Sequence, residues 1–129
     1  MKRATSRKGA RRQALYLLYQ WDLTGQELAS LYEGEPDEFA RSLAEAVSAR
    51  AEALDIRISA ASPDWPADRL GTLERNILRI GVYELEEETV PREVAINEAV
   101  VLAKRYATED AARLVNGVLA RIAREEEAA

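Results

Sequence analysis

The sequence predicts an all-α fold, and three observations predict it. Apolar residues recur at helical spacing along most of the chain, period-two alternation is confined to Ile56-Arg57-Ile58, and the four Pro, with Gly25 and Gly34, fall between the periodic segments. The chain has 129 residues, 47% of them hydrophobic and 32% charged, which suits one domain spanning 1–129.

The first helix is clearest over residues 10 to 23. Ala10, Ala14, Leu17, Leu18 and Trp21 share one stripe and belong in the core. Lys8, Arg12, Tyr16, Tyr19 and Leu23 share another, where cations and rings lie together. Such a face suits single-stranded RNA, with bases stacked on rings and phosphates on cations; Tyr16 and Tyr19 read equally well as half-buried packing residues. Thr24-Gly25 and Gly34-Glu35-Pro36 then bracket a segment, Gln26 to Glu33, long enough for two helical turns.

Phe39, Leu43, Ala46, Val47, Leu54 and Ile58 predict one long helix, too extended for the brief alternation at 56–58 to overrule. Ser62-Pro63-Asp64-Trp65-Pro66 breaks it, marking a boundary between subassemblies of about 1–62 and 67–129, with Trp65 read as a packing plug. Residues 72–87 form the next helix, with Thr72 as N-cap and Leu73, Ile77 and Ile80 on its apolar stripe. Glu84 continues that stripe. A carboxylate there must be paired, protonated or facing something outside the domain, because an isolated buried charge is too costly.

Pro91 restarts the chain. Between Val94 and Ala107 ten of fourteen residues are apolar and cover nearly the whole wheel, which predicts a central helix whose Asn97 and Glu98 bond to neighbours. The last helix begins near Asp110 and buries Ala111, Val115, Val118, Leu119 and Ile122. Gly117 inside it is read as a close helix approach, and the Arg124 to Glu127 tail as frayed.

The charge distribution is uneven. The net charge is −5, yet residues 1–12 carry Lys2, Arg3, Arg7, Lys8, Arg11 and Arg12 with no acid, leaving −11 on the remainder. A basic arm on an acidic body is the pattern of a protein that grips a nucleic-acid backbone locally. With no Cys and no His, disulfides, thiolate or imidazole nucleophiles and ordinary zinc, haem or iron–sulfur sites are excluded, and no cofactor is expected. Gly-rich phosphate loops and nucleophile elbows are also missing, so an enzyme is not expected. The longest wholly apolar run, Ala14 to Tyr19, is too short for a membrane span or signal-peptide core, which predicts a soluble cytoplasmic protein.

Several blocks are specific enough to carry a resemblance. They are Arg7-Lys8-Gly9-Ala10-Arg11, Ala14-Leu15-Tyr16, Tyr19-Gln20-Trp21, Leu73-Glu74-Arg75-Asn76-Ile77-Leu78-Arg79, Tyr83-Glu84-Leu85, Val94-Ala95-Ile96-Asn97-Glu98-Ala99-Val100 and Val115-Asn116-Gly117-Val118-Leu119. Together with Trp65, Val90-Pro91 and Leu102-Ala103-Lys104 they resemble the bacterial antitermination factors of the NusB family, over nearly the whole chain.

The resemblance implies two small helical bundles packed at a steep angle. It also implies pairing with the small-subunit ribosomal protein NusE, binding of boxA RNA in ribosomal RNA leaders, and terminator read-through in the transcription elongation complex. By position, it assigns Arg7, Lys8 and Arg11 to RNA, and Tyr19 and Glu84 to the partner; Lys2, Arg3 and Arg12 join the RNA set on charge alone. Ala120 stands where many members have an acid, and the stretch from Thr24 to Phe39 is shorter than in some. The alternatives are a stand-alone helical RNA-binding domain related to ribosomal RNA cytosine methyltransferases, and a structural homodimer joined through Tyr16 and Tyr19.

Overall fold

The computed structural model describes residues 7–128 as six α-helices, with no strand among the described residues. They are α1 (Arg7–Thr24), α2 (Glu38–Ala49), α3 (Ala51–Ala61), α4 (Thr72–Glu87), α5 (Arg92–Tyr106) and α6 (Glu109–Ala128), with 3₁₀ turns at Leu28–Leu31 and Ala67–Arg69. Local chemistry sets several ends. Asp37 accepts a hydrogen bond from the Ala40 N–H at 3.0 Å and starts α2; Thr108 does the same for Ala111 at 3.0 Å and starts α6. Gly25 and Gly34 take positive φ at the two turns where the sequence places punctuation.

The helix expected over 39–58 is two helices. Arg50, at φ −111° and ψ 12°, bends the chain between α2 and α3 and spends its guanidinium on Glu86 and Glu87 of α4, above the Tyr83 ring. The two helical turns expected over 26–33 reduce to the single 3₁₀ turn. Helix α4 begins at Thr72 itself, with Gly71 as the preceding cap.

The central helix is α4, not α5. Every residue of α4 from Asn76 to Val82 is buried, and the helix packs against α1, α2, α3, α5 and α6. Helix α5 buries one face, Ala95, Ala99, Leu102 and Ala103, while Val94, Asn97 and Val101 are exposed. Apolar coverage of a wheel shows what a helix tolerates around it; it does not show that neighbours occupy every side. One continuous core joins all six helices, with Leu18, Leu54, Ile58, Ile77, Leu85, Leu119 and Ile122 among its fully buried side chains.

Three other expectations are corrected. Trp65 is 55% exposed rather than a plug. Gly117 is exposed, and a Cβ there would meet nothing within 4 Å, so no close helix approach explains it; the tight approach is at Gly81, whose Cβ would lie 2.6 Å from a Leu119 methyl. The tail is ordered helix to Ala128, because Glu126 pairs with Arg57 at 2.6 Å and Glu127 with Arg92 at 3.3 Å.

A candidate interface on the first helix

Helix α1 presents two different faces. Its inner face buries Ala10, Ala14, Leu15, Leu17 and Leu18 against the core, as the 3.6-residue period requires. Its outer face exposes Lys8, Arg12, Tyr16 and Leu23, with Tyr19 half-buried. Tyr16, at 57% exposure, is too open to be a packing residue, so the basic and aromatic stripe is surface.

Tertiary packing widens this stripe. The last residue of α5, Tyr106, reaches the Arg12 and Tyr16 side of α1, with the Arg105 guanidinium 5.6 Å from its ring centroid. Tyr16 and Tyr106 border two grooves. One, of about 360 Å³, is lined by Arg12, Leu15, Tyr19 and Leu73. The other, of about 590 Å³, lies between α1 and the turn that follows the first 3₁₀ segment, with Leu17, Leu31, Pro36, Glu33 and Glu35 among its walls.

The walls of the smaller groove are held by a polar hub. A single Asp22 oxygen accepts from Arg75, Asn76 and Arg79, each at 3.0 Å, tying the end of α1 to the start of α4. Burial pushes the Asp22 carboxyl up, but the hydrogen bond from Arg75, the charge of Arg79 and the Asn76 bond outweigh it and hold the group below its ordinary value. Arg79 also makes a bidentate pair with Asp55 at 2.7 and 2.6 Å and lies 5.8 Å from the Trp21 ring centroid.

The predicted contact residues separate into distinct groups. Lys2 and Arg3 lie outside the described residues. Arg7 sits 5.1 Å from the Phe39 ring centroid and donates to the Thr89 carbonyl at 3.3 Å, while Lys8 is exposed with its ammonium 4.0 Å from Glu98. Arg12 is exposed, without an ion pair among the described residues, and borders both grooves. Tyr19 lines the smaller one.

Arg11 and Glu84 need correction. The Arg11 Nε and Nη2 donate to the two Glu84 oxygens at 2.9 and 2.8 Å, with side-chain exposures of only 4% and 2%. Neither presents a polar atom to RNA or to a partner in this structure. The physical reason is periodicity. Arg11 stands at i, i+4 and i+7 with Leu15 and Leu18, on the buried side of α1, just as Glu84 lies on the buried side of α4. Two buried charges of opposite sign on packed helices meet each other. The hydrogen bond to Glu84, against the cost of burial and with that carboxylate's charge, holds the Arg11 guanidinium above its ordinary pKa. The internal pairing that the stripe argument left open for Glu84 is the one observed.

Two residues of this surface escaped the sequence reading. Periodicity places Tyr106 with the apolar residues of α5 and Leu73 on the core stripe of α4, yet both line the smaller groove. The available signal for Tyr106 was its neighbour Arg105, which repeats on α5 the cation and ring pairing seen on α1.

Comparison with known proteins decides the family. Residues 8–124 match the NusB family. The chain belongs to the NusB family. The transcription antitermination protein NusB of Rubrobacter xylanophilus is 41% identical over 121 residues, covering 88% of this chain and 87% of that one. A structure of T. maritima NusB superposes with a TM-score of 0.84 at 33% identity, covering 95% of this chain and 94% of that one. A structure of the antitermination factors NusB and NusE in complex with double-stranded RNA gives 0.81 at 35% identity, covering 92% and 96%. The all-α class and the resemblance read from the sequence both stand with these NusB relatives. Among the described residues, no cluster of acids could hold a metal ion and no helix is long and apolar enough to cross a membrane.

Proposed function

We propose that this protein is a transcription antitermination factor that acts in the cytoplasm, without catalysis, by binding RNA jointly with a ribosomal protein. The observation that carries the reading is the exposed basic and aromatic face of α1, extended by Tyr106, on a chain that spans nearly the full length of its NusB relatives. Two features of those relatives give the partners. They are named as antitermination proteins, and one similar structure holds NusB with NusE and RNA.

In this reading Lys2, Arg3, Arg7, Lys8 and Arg12 supply phosphate contacts to the boxA element of ribosomal RNA leaders. The smaller groove, with Tyr19 on its wall, receives the ribosomal protein NusE, and the pair joins the transcription elongation complex. Arg11 and Glu84 act from inside, by fixing α1 on α4. An RNA phosphate that draws Arg7 from Thr89 or Lys8 from Glu98 displaces only weak contacts, since one is a long hydrogen bond and the other an ion pair at the distance limit. Reaching the buried Arg11 would require breaking a bidentate pair.

The test is fluorescence anisotropy of a boxA-like RNA titrated with this protein, with and without the purified ribosomal partner, against a scrambled RNA. Tight, sequence-selective binding is expected when both proteins are present. If about five cations each neutralise one phosphate, log affinity falls with log salt at a slope near −3.5. Indifference to partner and to RNA sequence would overturn the reading. A stable dimer by light scattering that ignores RNA would instead favour self-association through the face of Tyr16 and Tyr19.

A further inference from the structure

The larger groove on the other side of Tyr16 and Tyr106 has a different chemistry from the smaller one. Its walls include the side chains of Leu17, Leu31 and Pro36, and its rim carries Glu33 and Glu35. Both glutamates are exposed, and neither pairs with a cation among the described residues. The surface is also preformed. Gly34 at φ 69° sets the turn that presents the two glutamates, and the neighbouring Tyr32 donates its hydroxyl to Glu45 at 3.0 Å while packing against the core.

Charge therefore changes sign across one helix. Lys8 and Arg12 lie on the basic stripe, and Glu33 and Glu35 face the groove from the opposite wall, with Arg12 at the boundary. Arg12 is the groove's cation on the α1 side, so at the opposite wall a phosphate would approach two carboxylates held in no ion pair among the described residues, whereas a cationic side chain seated there would gain from both. The groove is also continuous with the smaller one, because Arg12, Tyr16 and Tyr106 line both. A protein seated against Tyr19 and Leu73 reaches it by crossing that ridge.

We propose that this acid-rimmed groove receives a cationic polypeptide segment of the ribosomal-protein partner, so that α1 divides the surface into an RNA side and a protein side. The inference rests on the partner reading given above and adds a second contact to it. A groove of about 590 Å³ accommodates a few side chains, with an Arg or Lys stem over Leu31 and Pro36 and its head at Glu33 or Glu35.

The experiment is a calorimetric titration of the purified small-subunit ribosomal protein into the full chain, at low and at physiological salt. It compares wild type with Glu33→Gln/Glu35→Gln, Glu33→Lys/Glu35→Lys and Tyr19→Ala, with boxA-like RNA affinity measured in parallel without partner. The glutamine pair is expected to weaken partner binding about tenfold at low salt and the lysine pair more, with a smaller difference at high salt. RNA affinity of the glutamine pair is expected to stay within about twofold of wild type, since no phosphate contact is lost.

Unchanged partner affinity in the lysine pair, while Tyr19→Ala weakens it, would overturn the groove and leave the partner reading intact. If Tyr19→Ala also binds normally, the partner reading fails and the groove falls with it. Partner affinity unchanged together with RNA binding tightened tenfold or more would reassign the groove to nucleic acid and likewise overturn the proposal.

Discussion

Removing either member of the Arg11–Glu84 pair should destabilise the protein far more than removing both. The pair is bidentate at 2.9 and 2.8 Å and almost fully buried, so Arg11→Ala alone leaves a carboxylate, and Glu84→Ala alone a guanidinium, without solvent or partner. An uncompensated buried charge costs about 3–5 kcal/mol, whereas replacing a whole buried pair by apolar residues of similar size is often neutral or stabilising. For a chain of this length about 1 kcal/mol corresponds to roughly 4 °C, so each single variant should melt about 12–20 °C below wild type. Arg11→Met/Glu84→Leu should return to within a few degrees of it. The assay is urea denaturation of wild type, Arg11→Met, Glu84→Leu and Arg11→Met/Glu84→Leu as a double-mutant cycle, with thermal melts in parallel and the two alanine variants measured beside them. Single variants within about 0.5 kcal/mol of wild type, or a coupling energy below about 1 kcal/mol, would refute the reasoning. The same set separates fold from function: partner binding lost in Glu84→Ala but recovered in the apolar double variant assigns Glu84 to positioning α1. Binding that stays lost in the refolded double variant would mean that the carboxylate itself is needed.

Two glycines in helices should respond oppositely to alanine. Gly81→Ala forces a Cβ to 2.6 Å from one Leu119 methyl and 3.0 Å from the other, inside the α4–α6 contact, and should cost about 1–3 kcal/mol in urea unfolding. Gly117→Ala meets open space and should stabilise by up to about 1 kcal/mol; a loss there would show that the exposed backbone of α6 is constrained in a way its surroundings do not reveal. For Asp22 the sign follows from its lowered folded-state pKa. Its contribution is fully present above the unfolded value near 4 and is lost as pH falls through that value toward the folded one. Wild type should therefore lose more stability than Asp22→Asn between about pH 5 and 3, and parallel stability curves for the two proteins would remove the hub from the acid response.

Much of this architecture is local and therefore legible in the residues. The apolar stripe of Ala10, Ala14, Leu17 and Leu18, the breaks at Gly25, Gly34 and Pro63, and the outward basic and aromatic stripe from Lys8 to Leu23 each follow from helical period or backbone preference within a few residues. The sequence by itself thus determined the helical class, the faces of α1 and the composition of its outer stripe.

Only the tertiary structure decided what each face meets. The resemblance assigns Arg11 to RNA and Glu84 to the partner, and the apolar stripe leaves an internal or an external contact open for Glu84; the two, 73 positions apart, bond to each other because α1 lies on α4. Val94 and Val101 remain outside because no described element covers that side of α5, while α4, with Arg79 and Asn76 among its residues, is surrounded because those polar groups find Asp22 and Asp55 on α1 and α3. Tyr106 joins Tyr16 by the packing of α5, and Trp65 faces water although its ring is apolar. Periodicity specifies which side of a helix is cheap to bury, whereas long-range packing specifies which side is buried, and a charge on that side survives only where another element brings its counterpart.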